Sequence, residues 1–134
     1  MAVHPCTLAI ANSKAPNYQG IVECYDYTSN YGPEIDICAR GTGVRSLGLD
    51  GDEQSFGDTS AAAPTVAVVV ALMLTANPNL RWTYVGTILR NTAVKIDDKN
   101  TDQFGKWMNG FSQRYGYGRL NVSAAVKAAK GFTA

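Results

Sequence analysis

The stretch SFGDTSAAAPTVAVVVALML, residues 55–74, decides the fold of this chain. One hydroxyl, Ser60, precedes three alanines and Pro64, and nine unbroken apolar residues run from Val66 to Leu74. This composition predicts an α-helix from about Ala61 to Ala76, with Pro64 in the first turn, where its missing N–H removes no essential hydrogen bond. Because the helix is apolar on every face, we expect it to be covered all round rather than along one stripe.

The size of the chain makes such a cover difficult. A chain of 134 residues, 46% hydrophobic and 17% charged, is most simply one globular domain. A domain of this size buries a smaller fraction of its surface than a large domain does. We therefore infer a partner polypeptide or a dimer. A membrane span needs roughly 20 apolar residues, whereas this run is shorter and follows Pro64 and Thr65, so no membrane is predicted.

Charge and cysteine content exclude several function classes. The 12 basic and 11 acidic side chains give a net charge of +1, too small to attract nucleic acid by charge alone. The three cysteines lack the spacing of a metal cluster. Cys24 and Cys38 could pair in an oxidising compartment, although buried thiols are favoured. The N-terminal residues have neither the basic leader nor the apolar core of a signal peptide, which leaves the compartment open.

The segments around the apolar helix predict an α/β fold. Alternating and β-branched patterns indicate strands, and amphipathic spacing indicates a second helix with Trp82, Val85, Ile88 and Leu89 on one face. Asn121 is typical of a helix N-cap and predicts a short final helix. The predicted strands lie at 6–11, 20–27 and 34–39, the predicted surface loop at 41–57, and the second helix at 82–93.

The segment GDTSAAAP resembles the nucleophile segment of subtilisin-like serine proteases, the subtilases, in which Gly-Thr-Ser-x-x-x-Pro opens a central buried helix. Four further stretches resemble the same family in the same order: HPCTLAIA, YTSNYGPEIDICARG, ANPNLRW and YGYGRLNVSAAVKAA. The last of these is similar to kexin-like and bacterial members. The resemblance covers nearly all of residues 1–134. It implies the C-terminal part of a subtilase catalytic domain, a three-layer α/β fold without the half that carries the catalytic Asp and His.

The resemblance places the catalytic nucleophile at Ser60, with Gly57, Thr59 and Pro64 as supporting motif residues. A serine at a helix N-terminus lies beside unpaired N–H groups and the positive end of the helix dipole. Such a position suits both attack by the hydroxyl and stabilisation of an oxyanion by the backbone N–H of Ser60. The implied substrate of the intact enzyme is a peptide or protein.

A serine nucleophile also needs a histidine base and an acid that orients it. The one histidine, His4, precedes a strand and does not match the catalytic histidine of the family. The family's acid and its oxyanion-hole Asn lie upstream of the matched region. We therefore expect an N-terminal subtilase half or a second copy as partner, and an isolated chain that is inactive. The alternative is a catalytically dead module that acts in binding or assembly.

Asp58 departs from the family pattern, which usually has Gly at this position. It places a carboxylate two residues from Ser60, where it would oppose a developing oxyanion. This departure favours the dead-module alternative.

The acidic residues between 98 and 109 mimic a calcium loop only in part. Asp98, Asn100 and Asp102 alternate as such a loop begins, but Gln103 and Asn109 occupy its sixth and twelfth positions and do not suit it. We assign no metal and no cofactor. Calcium is implied by the family resemblance alone, as is a secreted or cell-envelope location.

Overall fold

The structure, a computed structural model, describes residues 7–14, 24–25, 29–51 and 53–133. The strands are β1 (Ile10–Lys14), β2 (Cys24–Tyr25), β3 (Ile37–Arg40), β4 (Val44–Leu47) and β5 (Glu53–Phe56). The helices are α1 (Thr59–Ala76), α2 (Trp82–Thr92) and α3 (Val122–Lys130). This mixture of strands and helices confirms the predicted α/β class.

The larger sheet has the strand order β2-β1-β3. β1 and β3 are parallel, with Ile10 opposite Ile37, whereas β2 is antiparallel to β1 and pairs only with Ser13 and Lys14. β1 and β3 begin later than the predicted 6–11 and 34–39, because the regular ladder starts at the Ile10–Ile37 pair. Most of the predicted strand 20–27 lies outside the described residues.

A β-hairpin occupies much of the predicted surface loop 41–57. β4 and β5 pair in antiparallel fashion, with Val44 opposite Phe56, and Gly51 adopts a φ of 84° in the connection. Leu47 and Leu49 are exposed. The loop prediction was therefore wrong for residues 44–47 and 53–56. The sequence of β4 shows no clear alternation of polar and apolar residues, because β4 does not bury one regular face.

Helix α1 packs against β1, β3 and α3 along one side. Val66, Val69 and Met73 on this side are buried, whereas Val68 is 60% exposed and Leu72 is 46% exposed. The described residues therefore supply only part of the cover that such an apolar helix requires. By length and composition α1 could also cross a bilayer, a property that core helices of soluble proteins share.

The other two helices complete the core. Val85, Ile88 and Leu89 of α2 are buried as predicted, but Trp82 is 66% exposed because it begins the helix at the border of an open groove. In α3 the side chain of Asn121 accepts a hydrogen bond from the Ala124 N–H at 3.1 Å. This bond confirms the predicted N-cap.

A partly buried ion pair joins the segment before β3 to α2. The Oδ1 atom of Asp36 accepts hydrogen bonds from Arg90 Nε at 2.9 Å and Nη2 at 2.5 Å. The Oδ2 atom of the same carboxylate accepts from the Ala9 N–H at 2.8 Å. Asp36, the residue before β3, is thereby bonded to the residue before β1 and to α2, so both oxygens of its carboxylate are used in hydrogen bonds within the protein.

The glycines of the YGYG stretch allow close backbone contacts. Gly118 has a φ of 131°, and a Cβ there would lie 2.6 Å from the Val94 carbonyl oxygen. We expect Gly118→Ala to lower the free energy of unfolding by about 2–4 kcal/mol, from conformational strain together with steric overlap. Gly110 is the matched control, since it has a φ of 78° but a Cβ added there would meet no atom within 4 Å. Gly110→Ala is expected to cost about 1 kcal/mol. If urea unfolding gives equal losses of unfolding free energy for Gly118→Ala and Gly110→Ala, the contact of residue 118 with Val94 is not tight.

Candidate active site

Ser60 is the second residue of α1, and its side chain is exposed. The carbonyl of Asp58 accepts from the N–H groups of Ala61 at 3.0 Å and Ala62 at 3.2 Å, which closes the first turn. The N–H of Ser60 precedes these bonds and has no acceptor within the helix. The hydroxyl and this N–H therefore share the positive end of the helix dipole, where an oxyanion is favoured.

Pro64 lies deeper in the helix than the sequence predicted. α1 begins at Thr59, so Pro64 is its sixth residue and lies beyond the first turn. A proline there has no N–H to donate to the carbonyl four residues earlier. That carbonyl belongs to Ser60, so the backbone of the candidate nucleophile receives no helical hydrogen bond from position 64.

The backbone before Ser60 is held by a close approach from the end of β3. A Cβ on Gly41 would lie only 2.1 Å from the Asp58 carbonyl oxygen and 2.5 Å from Asn12 Oδ1. Gly57 is less crowded, since a Cβ there would meet the Gly41 oxygen at 3.4 Å. Sequence reasoning missed Gly41 as a site residue, although it ends the stretch YTSNYGPEIDICARG.

Thr59 faces the end of the sheet. It is partly buried and lines a cavity of about 190 Å³ together with Ile10 and Ser29. The Ser29 hydroxyl oxygen accepts a hydrogen bond from the Asn12 N–H at 3.0 Å. This bond fixes residue 29 beside β1, where it lines the same cavity as Thr59 at the start of α1.

No described residue supplies the catalytic base. Histidine occurs in this chain only at position 4, which lies outside the described residues. The buried carboxylate of Asp36 is bonded to Arg90 and Ala9 and is not available to orient a histidine. The described part of the chain therefore brings together the candidate nucleophile hydroxyl and one N–H group that an oxyanion could use.

Two residues of the calcium-like loop use side-chain oxygens within the protein. Asn100 Oδ1 accepts from the Asp102 N–H at 2.9 Å, and Asp102 Oδ2 accepts from the Gly105 N–H at 3.2 Å. Asp102 forms an ion pair with Arg114 at 2.6 Å. Within the described ranges, no group of three or more His, Cys, Asp or Glu side chains is arranged to hold a metal ion.

Cys38 carries a buried thiol that is not part of a disulfide. β1 lies between β2, which contains Cys24, and β3, which contains Cys38. This strand order separates the two cysteines by one strand, which agrees with the thiol state favoured from the sequence.

Comparison with known proteins places this geometry in a family. The family model described as the subtilase family, Peptidase S8, matches residues 10–118. The chain belongs to the subtilases. The resemblance found in the sequence is thereby confirmed, and the exposed serine at the start of α1 lies within the matched region.

Similar proteins agree with this assignment. The cell wall-associated protease of Bacillus subtilis (strain 168) is 34% identical over 135 residues, covering 89% of this chain and 15% of that protein. A calcium-dependent protease of Trichormus variabilis is 44% identical over 75 residues, covering 56% of this chain and 11% of that protein. The crystal structure of fervidolysin from Fervidobacterium pennivorans is 25% identical, with a TM-score of 0.74 over 92% of this chain and 19% of that one. This subtilase chain therefore spans a small part of the length of the relatives it matches.

Asp58 gives this subtilase chain an unusual backbone at the entry to α1. Its φ of 63° and ψ of −161° fall in a region that is almost restricted to glycine. Its side chain makes no capping hydrogen bond to the helix. The residue therefore carries strain of about 1–3 kcal/mol without the usual benefit of an N-cap.

We expect Asp58→Gly to raise the free energy of unfolding by about 1 kcal/mol, because glycine adopts this conformation without strain. The gain is smaller than the strain, since glycine loses more backbone entropy on folding and the charge near the helix N-terminus is removed. Asp58→Asn is the matched control. It removes the charge but keeps a Cβ, so it should give no gain in urea unfolding. A gain of equal size for both variants would identify charge rather than backbone strain as the cause.

Proposed function

We propose that this chain carries the nucleophile of a subtilisin-like serine endopeptidase, and that polypeptide outside the chain supplies the base and the acid. The observation that carries this proposal is the exposed hydroxyl of Ser60 at the N-terminus of the apolar helix α1. Val66, Val69 and Met73 anchor that helix against the sheet. A nucleophile needs such a rigid mount, because small errors in its position are costly in rate.

The proposed chemistry is acyl transfer. The external histidine takes the proton from Ser60 Oγ as this oxygen attacks the scissile carbonyl, and the leaving amine then receives that proton. The product is an acyl-enzyme ester on Ser60, which water hydrolyses in a second step. The Ser60 N–H donates to the oxyanion of each tetrahedral intermediate, with a further donor supplied from outside the chain.

The substrates and the location proposed for the intact enzyme are supported by its relatives. We assign peptides or proteins as substrates and a secreted or cell-envelope location, on the support of relatives with names such as cell wall-associated protease. Calcium is proposed for the intact enzyme only, on the support of the calcium-dependent relative. Nucleic acid and membrane are not proposed as partners.

The test compares this chain alone with a fusion. In the fusion, the part of the Bacillus subtilis cell wall-associated protease that precedes the matched region is joined ahead of Met1. We expect the fusion to hydrolyse a chromogenic peptide, and the isolated chain to show no hydrolysis above its buffer. Hydrolysis by the pure isolated chain that Ser60→Ala abolishes would contradict the proposed need for an external base.

The strained Asp58 favours a second candidate function, a catalytically dead module that binds or assembles with a partner or with itself. A carboxylate two residues before Ser60 disfavours negative charge on the oxyanion. For this alternative, the fusion should be inactive both with Asp58 and with Asp58→Gly. Restoration of hydrolysis by Asp58→Gly would instead identify an intact site that is inhibited by one carboxylate.

A further inference from the structure

Asp58 places a charged side chain at the entry to the candidate active site. The residue is exposed, and its side chain makes no capping hydrogen bond to α1. The Cα atoms of Asp58 and Ser60 lie at most about 7 Å apart, since two residues of extended chain reach no further. A polypeptide that approaches the Ser60 hydroxyl therefore comes close to this carboxylate.

The backbone of Asp58 is held in one position relative to Ser60. Its carbonyl oxygen accepts hydrogen bonds from the N–H groups of Ala61 at 3.0 Å and Ala62 at 3.2 Å. Gly41 packs so closely against the same oxygen that a Cβ at position 41 would overlap it. The φ of 63° and ψ of −161° persist because these neighbours enforce them. The point from which the carboxylate projects is therefore fixed beside the candidate nucleophile.

The charge of Asp58 has opposite effects on two parts of the proposed reaction. It disfavours the oxyanion that forms beside the Ser60 N–H, because like charges repel strongly in a site that excludes water. It favours a positive charge on the substrate close to the scissile bond. A substrate cation that pairs with Asp58 also neutralises it and so removes its effect on the oxyanion. The benefit is larger in the transition state than in the bound substrate, which is the condition for a higher kcat.

We infer that Asp58 selects substrates that carry a lysine or arginine side chain next to the scissile bond. The inference rests on the proposed function, because it names the substrate class of that same site. The family pattern usually has Gly at this position, so the selection belongs to the Asp58 side chain and not to the shared architecture. Under this inference the carboxylate slows the cleavage of neutral and acidic peptides and spares that of cationic ones.

Hydrolysis of matched peptides by the fusion defined above tests the inference. The peptides are internally quenched and differ only at the two residues that flank the scissile bond, which carry Lys, Gln or Glu. We expect kcat/KM for the Lys peptide to exceed that for the Gln peptide by at least about tenfold, because the ion pair forms in a site of reduced dielectric constant. The Glu peptide should be cleaved more slowly than the Gln peptide. Peptides with Lys on one flank at a time then identify the flank that meets Asp58.

Asp58→Asn keeps the Cβ and removes the charge. It should lower the ratio of kcat/KM between the Lys and Gln peptides to about one, and it should raise kcat/KM for the Gln peptide because the oxyanion is no longer opposed. Asp50→Asn is the matched control, since it removes an exposed charge from the connection between β4 and β5, at the far end of the hairpin from Ser60. It should leave the ratio unchanged.

Salt gives a second measure of the same ion pair. Raising the salt concentration to about 0.5 M should weaken the preference of the unmodified fusion for the Lys peptide, because exposed charges are screened. The ratio for Asp58→Asn should not respond to salt. An Asp58→Asn fusion that keeps the full preference for the Lys peptide would overturn the inference.

Peptide binding separates this inference from the proposed function. The fusion with Ser60→Ala forms no acyl-enzyme, so fluorescence anisotropy measures its affinity for each labelled peptide. Tighter binding of the Lys peptide that Asp58→Asn removes, together with no hydrolysis by the unmodified fusion, would support the selection and count against the endopeptidase. Hydrolysis of all three peptides with equal kcat/KM would support the endopeptidase and overturn the selection. A fusion that neither binds nor hydrolyses any of the peptides would overturn both.

Discussion

Replacing Ser60 by alanine is expected to abolish peptide hydrolysis by the fusion, with kcat/KM falling by at least about 10³-fold. The reason is the loss of the one oxygen that can form the acyl-enzyme, while the backbone N–H and the helix stay in place. Ser123→Ala on α3 is the matched control, because Ser123 is also exposed near a helix N-terminus. It should leave kcat/KM unchanged.

The stability of the same variants decides how the loss is interpreted. Ser60 is exposed, and alanine is a better helix former than serine, so Ser60→Ala should change the free energy of unfolding by less than about 1 kcal/mol. If Ser60→Ala loses activity but keeps its free energy of unfolding, the lost activity is explained by the missing chemistry of the Ser60 Oγ atom. Hydrolysis that persists in Ser60→Ala at the wild-type rate would remove Ser60 from the mechanism.

Replacing Met73 by alanine is expected to lower the free energy of unfolding of the isolated chain by about 2–5 kcal/mol. Met73 is 0% exposed and belongs to the core cluster that joins α1 to β3 and α3, so truncation leaves a cavity. The adjacent Leu72 is 46% exposed on the uncovered side of the helix. Leu72→Ala should cost less than about 1 kcal/mol in the isolated chain.

This pair of neighbours also reports on the cover of α1. If the upstream polypeptide packs on the exposed face, Leu72→Ala should cost more in the fusion than in the isolated chain, whereas the cost of Met73→Ala should change little. Urea unfolding of both proteins measures the difference. Equal costs for Leu72→Ala and Met73→Ala in the isolated chain would contradict the one-sided packing of α1.

Much of the fold could be predicted from local sequence. The apolar run from Val66 to Leu74 fixed the central helix, and Asn121 fixed the start of α3, because composition and capping act within a few residues. The β4–β5 hairpin was missed because β4 does not bury one regular face. The exposure of Trp82 was also missed, since helical spacing defines a face but not how far its cover extends.

The candidate site was predictable only in part. The motif around Ser60 was enough to propose the nucleophile and the family, because it is a contiguous stretch. The role of Gly41 depends on a contact with Asp58, seventeen positions later in the chain, and no local sequence pattern predicts this contact. The strained backbone of Asp58 and the position of Pro64 beyond the first turn likewise depend on where α1 begins in the folded chain.

The central claim is that Ser60 becomes a nucleophile only when polypeptide outside this chain completes the site. Reaction with a fluorophosphonate probe, followed by mass spectrometry of the modified peptide, measures this directly. The account predicts a single adduct on Ser60 in the fusion and no adduct on the isolated chain. An adduct on Ser60 of the isolated chain, or an adduct in the fusion on any other residue of this chain, would contradict it.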